Sequence, residues 1–156
     1  MTLQKHRKND FKCGFFVDFY SAVLYNNRIK DIIDKFGGNM KDRISISVIG
    51  LGQRGSALIG GVLVKRDDLD IVAVCDVYND RAEAAAKVVE NSGRPAPKIY
   101  TDYKLLLAET KTDAVLVSCS WEWHIEVAIA AMRAGVAVAL EVGGCFSMEE
   151  LWSLVQ

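Results

Sequence analysis

The sequence predicts an α/β protein with a doubly wound parallel sheet, and two patterns support that prediction. From Ile44 onward, short apolar runs of strand length alternate with stretches whose apolar residues recur at helical spacing. Alternating strands and helices imply right-handed crossovers between parallel strands. The chain has 156 residues, of which 51% are hydrophobic, so it carries enough apolar material for one buried core.

The strands are predicted from runs of apolar residues bounded by turn residues. The second, Leu69–Asp76, has the continuous apolar content that is typical of parallel strands covered on both faces, whereas the first begins with alternating apolar residues. The predicted strands are Ile44–Gly50, Leu69–Asp76, Ile99–Tyr100, Asp113–Cys119 and Val136–Glu141.

A helix is predicted after each strand. We expect Asn79 or Asp80 to cap the second helix, Asp102 to cap the third, and Ser147 to begin the last with a capping box. The predicted helices are Gln53–Val64, Arg81–Gly93, Tyr103–Thr110, Trp121–Ala134 and a final helix from Ser147.

Charge and cysteine content exclude several classes of partner. The formal net charge is −1, so the chain lacks the basic excess that nucleic acid binding requires. The apolar stretch Phe15–Tyr25 is too short to span a membrane and contains Asp18. The four cysteines lack the spacing of a metal site or of a disulfide framework, which favours a reducing, cytoplasmic location. They are Cys13, Cys75, Cys119 and Cys145.

A glycine-rich turn joins the first predicted strand to the first helix. Its sequence, Gly50-Leu51-Gly52-Gln53-Arg54-Gly55, is a GxGxxG pattern in the strand–turn–helix context of dinucleotide-binding folds. Gly50 permits the tight turn, Gly52 lets the backbone approach a pyrophosphate, and Gly55 lets the helix pack close to the strand. Unpaired N–H groups at the helix start would then face the anion. The alternative is a purely structural turn.

An acidic residue ends the second predicted strand. Asp76 follows Gly55 by about 20 residues, the separation at which a carboxylate accepts hydrogen bonds from an adenosine ribose diol. It would repel a 2′-phosphate, so NAD is favoured over NADP, although Arg54 and Arg81 could each reach toward a phosphate. Asp76 could instead cap the turn that follows it. S-adenosylmethionine enzymes also place an acid here, so the loop and the acid alone do not distinguish a dinucleotide enzyme from a methyltransferase.

Ligands of such sheets lie beyond the carboxyl ends of the strands, which directs attention to two later loops. Cys119-Ser120-Trp121-Glu122-Trp123-His124 follows the fourth predicted strand, and Glu141-Val142-Gly143-Gly144 follows the fifth.

From Ile44 to Gln156 the chain resembles the glucose–fructose oxidoreductase/inositol dehydrogenase superfamily, Gfo/Idh/MocA. The resemblance implies a Rossmann-type, NAD(P)-binding amino-terminal half. In two places the chain departs from the family: Cys119-Ser120 stands where Thr-Pro is usual, and Glu141-Val142-Gly143 stands where Glu-Lys-Pro is usual. A valine cannot transfer a proton as that lysine does, which argues against inositol-dehydrogenase-type chemistry. The segments that carry the resemblance are VIGLGQRG, IVAVCDVYNDRAEAAA, KIYTDYKLLL, TDAVLVSCSWEWHIEVAIAAMRAG and ALEV.

Within that superfamily, Trp121-Glu122-Trp123-His124 and Glu141-Val142 resemble the NAD-dependent α-N-acetylgalactosaminidase-like glycosidases. In that branch NAD transiently oxidises the sugar, which acidifies the neighbouring C–H and permits elimination of the leaving group before NAD is regenerated. The resemblance implies that Glu141 binds the nicotinamide-side ribose. It names no catalytic residue here, and we predict no metal ligand. The candidate cofactor-binding residues are Gly50, Gly52, Gln53, Arg54, Gly55, Asp76, Cys119, Ser120, Trp121, Glu122, Trp123, His124, Glu141 and Val142.

Several of these residues also have structural interpretations. Trp121 and Trp123 open a helix whose apolar face continues, so either indole could belong to the core. His124 could be a hydrogen-bonded surface histidine near a helix N-terminus, and the pair Glu149-Glu150 is explained by the capping box.

The chain is predicted to divide near Met40. Residues 40–156 form the nucleotide-binding domain, and residues 1–39 form a weakly structured extension with a weak helical pattern and no strand that joins the sheet. Two interpretations of the extension stay open. Gly37-Gly38-Asn39-Met40 is compatible with a ribosome-binding sequence ahead of a start codon, so the extension could be translated leader. It could also be a helix that packs on the sheet.

Three functions are compatible with the sequence. The first, which we favour, is the NAD-binding domain of an oxidoreductase-family protein that acts on a sugar, by net oxidation or by NAD-assisted glycoside cleavage. The second is a non-catalytic dinucleotide-binding module, and the third is a methyltransferase. Family members carry a second, substrate-binding domain, so we expect dinucleotide binding without turnover from this chain alone and a sugar partner when that domain is supplied. Homo-oligomerisation of full-length relatives stays open.

Overall fold

The computed structural model describes residues 43–155 and, apart from them, the two-residue strand Val17–Asp18. Within these residues, six parallel strands form one sheet in the order β1-β6-β5-β2-β3-β4. The strands are β1 (Val17–Asp18), β2 (Ile44–Ile49), β3 (Leu69–Cys75), β4 (Lys98–Tyr100), β5 (Ala114–Val117) and β6 (Ala137–Leu140).

Helices follow the strands as predicted. The first is shorter than expected, because Val62 leaves helical geometry at φ −126° and a 3₁₀ turn, Leu63–Lys65, replaces the last α-helical turn. The α-helices are α1 (Gln53–Gly61), α2 (Asn79–Asn91), α3 (Tyr103–Glu109), α4 (Trp121–Arg133) and α5 (Met148–Ser153).

The strand order confirms the doubly wound sheet. From β2 the chain adds β3 and β4 on one side, then crosses to add β5 and β6 on the other. The direction of winding therefore reverses between β2 and β5, and connections leave the carboxyl ends of these two strands in opposite directions. Ligands of open α/β sheets bind in the crevice at this switch point.

Two apolar clusters cover the two faces of the sheet. One contains Val48 of β2 with Ile59 of α1 and Val89 of α2, all fully buried. The other contains Val117 of β5 with Ile125 of α4. Because both faces are covered, β3 and β5 are mostly apolar, whereas β2 carries Ser45 and Ser47 between its apolar residues.

The strand on the amino-terminal side corrects one expectation. Val17 pairs with Ala139 and Asp18 with Leu140, so β1 joins the sheet beside β6 where the sequence predicted no partner strand. Two residues are too few to give a periodic signal, which is why the pattern did not reveal the strand. The weak helical pattern predicted within residues 1–39 lies outside the described residues.

Two of the three predicted helix caps are confirmed. The Asp102 side chain accepts from the Lys104 N–H at 2.8 Å, and Ser147 forms the capping box with Glu150. The third is wrong, because α2 begins at Asn79 and its N-cap is Tyr78, which makes no side-chain cap bond.

The described helices are all too short or too polar to cross a lipid bilayer.

Two serines on β2 offer a test of the buried polar groups. Ser47 is fully buried, and its Oγ has no hydrogen-bond partner, whereas the Ser45 Oγ donates to Asp113 Oδ2 at 2.6 Å. An unpartnered buried hydroxyl costs about 1 to 3 kcal/mol, so Ser47→Ala should leave the free energy of unfolding unchanged or raise it by about 1 kcal/mol. Ser45→Ala should lower it by about 1 kcal/mol or more. Urea denaturation of both variants measures the difference, and a larger loss from Ser47→Ala would contradict it.

Candidate functional site

Gly50 is required where β2 and β5 approach each other. Its φ is +93°, a conformation that glycine adopts without strain. A Cβ at Gly50 would lie 2.2 Å from the Cys119 backbone nitrogen, so no side chain fits. The Gly50 N–H donates to the Cys75 carbonyl at 2.8 Å, and the Gly50 carbonyl accepts from the Ser118 Oγ at 2.7 Å. The start of the glycine loop is therefore fixed to the ends of both neighbouring strands.

The other two glycines differ in what surrounds them. A Cβ at Gly55 would lie 2.0 Å from the Gly50 carbonyl oxygen, which shows the close helix–strand packing that the motif predicts. A Cβ at Gly52 would meet no protein atom within 4 Å, and its φ of −65° suits any residue. The fold itself therefore does not need a glycine at position 52. The open space in front of Gly52, at the N-terminus of the nine-residue helix α1, fits a phosphate group.

Asp76 lies at the end of β3 with its carboxylate buried and directed at the glycine loop. Oδ2 accepts from the Leu51 N–H at 2.6 Å, and Oδ1 accepts from the Tyr78 N–H at 3.0 Å. The turn-capping interpretation of Asp76 is thus present in the structure. Each carboxylate oxygen has two acceptor positions, so these bonds leave acceptor capacity for a ribose hydroxyl.

The connection after β3 contains a contact that the sequence analysis did not foresee. The Arg81 guanidinium lies 4.5 Å from the centre of the Tyr78 ring, and its Nη1 lies 4.0 Å from Asp76 Oδ1. Tyr78 and Arg81 are three residues apart across the start of α2, a spacing that could have suggested the contact.

Arg54 and Glu141 pair across the carboxyl edge of the sheet. The Arg54 Nη2 donates to Glu141 Oε1 at 3.1 Å, which joins the first turn of α1 to the residue after β6. The sequence predicted that Arg54 could reach toward a 2′-phosphate beside Asp76. In the structure its guanidinium instead lies at Glu141, the residue predicted to bind the nicotinamide-side ribose.

His124 is buried, so the interpretation as a surface histidine is wrong. Only 1% of the residue is exposed, and its two ring nitrogens lie 2.9 Å from the Cys119 carbonyl oxygen and 3.2 Å from the Gly143 carbonyl oxygen. A Cβ at Gly144 would lie 2.5 Å from the His124 Cβ. The imidazole therefore lies between the loop after β5 and the loop after β6 and contacts both.

Neither indole of the Trp-Glu-Trp-His segment belongs to the core. Trp121 is 59% exposed and Trp123 is 50% exposed, because both lie in the first turn of α4 at the edge of the sheet. Gly143, at φ +97°, allows Trp121 to pack against the backbone, since a Cβ there would lie 2.7 Å from the indole. Trp121 also forms one wall of an apolar groove with Val142 and Leu154.

The remaining candidate residues lie at the same edge. Gln53, Ser120, Glu122 and Val142 are exposed, and Ser120 is the N-cap of α4. Burial raises the pKa of the Cys119 thiol to about 11. Among residues 43–155 no group of histidine, cysteine and acidic side chains is arranged to hold a metal ion.

This fold and this loop define a dinucleotide-binding domain, with the glycine turn and Asp76 on one side of the switch point and the Cys119–His124 loop on the other. Residues 44–156 match the Gfo/Idh/MocA family model, described as the oxidoreductase family with an NAD-binding Rossmann fold. The chain belongs to this family.

Individual relatives agree with that assignment. The chain is 39% identical over 118 residues to glycosyl hydrolase family 109 protein 1 of Akkermansia muciniphila, covering 73% of this chain and 24% of the relative. It is 34% identical over 126 residues to an α-N-acetylgalactosaminidase of Tannerella forsythia, covering 78% of this chain and 27% of the relative. The predicted resemblance to this branch is confirmed. The chain spans about a quarter of the length of these relatives.

Solved structures show the same fold. A dehydrogenase from Chromobacterium violaceum superposes with a TM-score of 0.65 at 26% identity, covering 74% of this chain and 32% of that one. A myo-inositol dehydrogenase from Lactobacillus casei, solved in complex with NAD(H) and myo-inositol, superposes with a TM-score of 0.63 at 26% identity, covering 72% and 32%.

Alanine substitutions at Gly50 and Gly52 should distinguish a glycine that the fold requires from one that only leaves space for a ligand. Gly50→Ala forces a Cβ onto the Cys119 backbone at positive φ, so it should lower the free energy of unfolding by about 3 kcal/mol or prevent folding. Gly52→Ala meets no protein atom, so its unfolding free energy should match that of the original chain within about 0.5 kcal/mol. Urea denaturation measures both, and equal losses from the two variants would contradict this assignment.

Thiol reactivity should follow the burial of the cysteines. Because burial raises the pKa of Cys119 to about 11 and that of Cys75 to about 12, both thiols stay protonated and poorly nucleophilic at pH 8. Of the three cysteines in residues 43–155, Cys145 is the exposed one and should react with iodoacetamide before the other two. Peptide mapping by mass spectrometry reads each site, and alkylation of Cys119 should become rapid only as the pH approaches 11. Equal alkylation of Cys119 and Cys145 at pH 8 would contradict the half-buried placement of Cys119.

Proposed function

We propose that this chain binds NAD across the switch point between β2 and β5. The observation that carries the proposal is the open space at Gly52, where a Cβ would meet no atom within 4 Å beyond its neighbours in the chain, in a loop that the buried Asp76 carboxylate holds through the Leu51 N–H. Bound NAD supplies a hydride acceptor. The N–H groups at the start of α1 hold the pyrophosphate, and the residues of the Cys119–His124 loop and Glu141-Val142 line the nicotinamide side.

Three features support NAD over NADP as the preferred cofactor. Asp76 presents a carboxylate where the adenosine ribose is expected. Arg54, the nearest cation of the glycine loop, is paired with Glu141. The family to which the chain belongs is described by its NAD-binding fold.

Two titratable candidate residues at the nicotinamide side, Glu141 and His124, are already engaged by groups of the protein. Glu141 is held by Arg54, and both ring nitrogens of His124 face backbone carbonyls. Val142 is 71% exposed but carries no titratable group. We therefore propose that the chain by itself binds NAD without turnover.

In a protein of the relatives' length, this domain would serve chemistry on a sugar. The names of the dehydrogenase and glycosidase relatives support a sugar or cyclitol substrate. Val142 and the similarity to glycosyl hydrolase family 109 proteins favour NAD-assisted glycoside cleavage as a second candidate beside net oxidation.

We place the site in a domain of residues 40–156. The free thiols of Cys75, Cys119 and Cys145 support a cytoplasmic location.

A nucleotide titration of the whole chain tests the proposal. The exposed indoles of Trp121 and Trp123 should report NAD binding as a change in fluorescence, and calorimetry gives the dissociation constant. Gly52→Ala should keep the fold yet weaken NAD binding by about tenfold or more, because its Cβ fills the pyrophosphate space. Preferential binding of S-adenosylmethionine, or binding of no nucleotide, would contradict the proposal, as would unchanged NAD affinity in Gly52→Ala.

A further inference from the structure

The last helix turns an apolar face toward solvent. Every residue of α5 is exposed or half-buried, and four large apolar side chains stand at positions i, i+3, i+4 and i+7, which is the spacing of one stripe along a helix. We call this stripe the α5 face. Its members, with the exposed fraction of each, are Met148 (65%), Leu151 (44%), Trp152 (60%) and Val155 (77%).

The orientation of this face is fixed by the way α5 begins and ends. The capping box of Ser147 and Glu150 holds the first turn, and the Phe146 N–H donates to Glu150 Oε2 at 2.6 Å. After the last turn, Leu154 packs against the apolar cluster that contains Val117. An amphipathic surface helix ordinarily turns its apolar stripe toward the core, whereas α5 is held with that stripe outward.

The apolar groove that Trp121 borders lies directly beside the α5 face. Leu151 and Val155 belong to both, and Phe146, which is 67% exposed, lines the groove as well. The groove has a volume of about 630 Å³, which is enough to admit a bulky group from another molecule. A surface that combines such a recess with protruding apolar side chains can fit a copy of itself, as a two-fold interface requires.

The size of the exposed apolar surface matches what a stable pair needs. Phe146 and the α5 face are 44–77% exposed and present on the order of 600 Å², taking roughly 200 Å² for each free side chain. This reaches the upper end of the apolar patches of typical monomers, and the groove walls bring it toward the roughly 800 Å² that each partner buries in a standard interface. The formal net charge of −1 causes little repulsion between copies.

We propose that this chain pairs with a second copy of itself through the α5 face and the groove beside it. The protruding side chains of each copy pack into the groove of the other, so both copies make the same contacts. The glycine loop and Asp76 lie outside the lining of the groove, and the inference does not rest on the proposed NAD site.

Sedimentation velocity of the whole chain tests the pairing. Over concentrations from about 1 to 100 μM the mass should rise from that of one chain toward that of two. Trp152→Glu should raise the dissociation constant of the pair by about tenfold or more, because it places a charge within the apolar interface. The matched control is Leu105→Glu on α3, where the leucine is 52% exposed, and it should leave pairing unchanged. A single-chain mass throughout, or equal effects of the two variants, would overturn the inference.

A second variant covers the case in which Trp152→Glu fails to fold. Met148→Glu places a carboxylate in the first turn of α5, where the helix dipole accommodates it, so the helix should keep its stability. It should likewise weaken pairing by about tenfold. Circular dichroism checks the fold, and unchanged pairing in folded Met148→Glu would overturn the inference.

The reactivity of Cys145 shows whether the groove is the surface that becomes covered. Cys145 lines the groove and is exposed in the single chain. Its alkylation by iodoacetamide should slow by about fivefold or more between dilute and concentrated chain, and Met148→Glu should abolish the slowing. A chain that stays single while Cys145 reacts slowly at every concentration would have its groove covered by another part of itself, which would overturn the inference.

Discussion

The hydrogen bond from the Leu51 N–H to the buried carboxylate of Asp76 fixes the geometry on which the rest of the site depends. It joins the glycine loop to the end of β3 over 2.6 Å, and the other oxygen of the same carboxylate holds the Tyr78 N–H. A buried carboxylate is tolerated only when its oxygens are hydrogen-bonded, so the placement of the Asp76 side chain depends on both loops. One side chain therefore sets the position of the glycine turn and the start of α2 together.

A second set of contacts holds the loops after β5 and β6 at the carboxyl edge of the sheet. The buried imidazole of His124 spans the carbonyls of Cys119 and Gly143, and Gly143 and Gly144 leave room for Trp121 and His124. The two halves meet where Gly50 contacts the Cys119 backbone, and Arg54 reaches across to Glu141. Rigid loops on both sides of an open crevice are the arrangement expected of a site that holds a long, two-ended cofactor without reorganising.

Much of the fold and part of the site follow from the sequence because they depend on local patterns. Buried parallel strands need apolar runs, and the glycine motif needs a strand before it and a helix after it, so both are visible along the chain. The Arg54–Glu141 pair is not visible because it depends on the crossover from β4 to β5, which places β5 and β6 on the other side of β2. The burial of His124 is not visible because it depends on the pairing of β5 with β6. The predicted N-cap of α2 is wrong because Asp76 forms the turn ahead of the helix, which leaves Asn79 and Asp80 inside it.

We propose that the glycine loop, held by Asp76, is the surface that contacts NAD. An NMR titration of the ¹⁵N-labelled chain with NAD tests it most directly, because each backbone amide of the loop reports separately. We predict that the amide chemical shifts of Gly52, Gln53 and Tyr78 change on addition of NAD and saturate at the same NAD concentration. The Leu51 amide should be protected from hydrogen exchange before and after NAD is added. Shifts confined to residues away from the carboxyl ends of β2, β3 and β5, or rapid exchange of the Leu51 amide, would contradict the account.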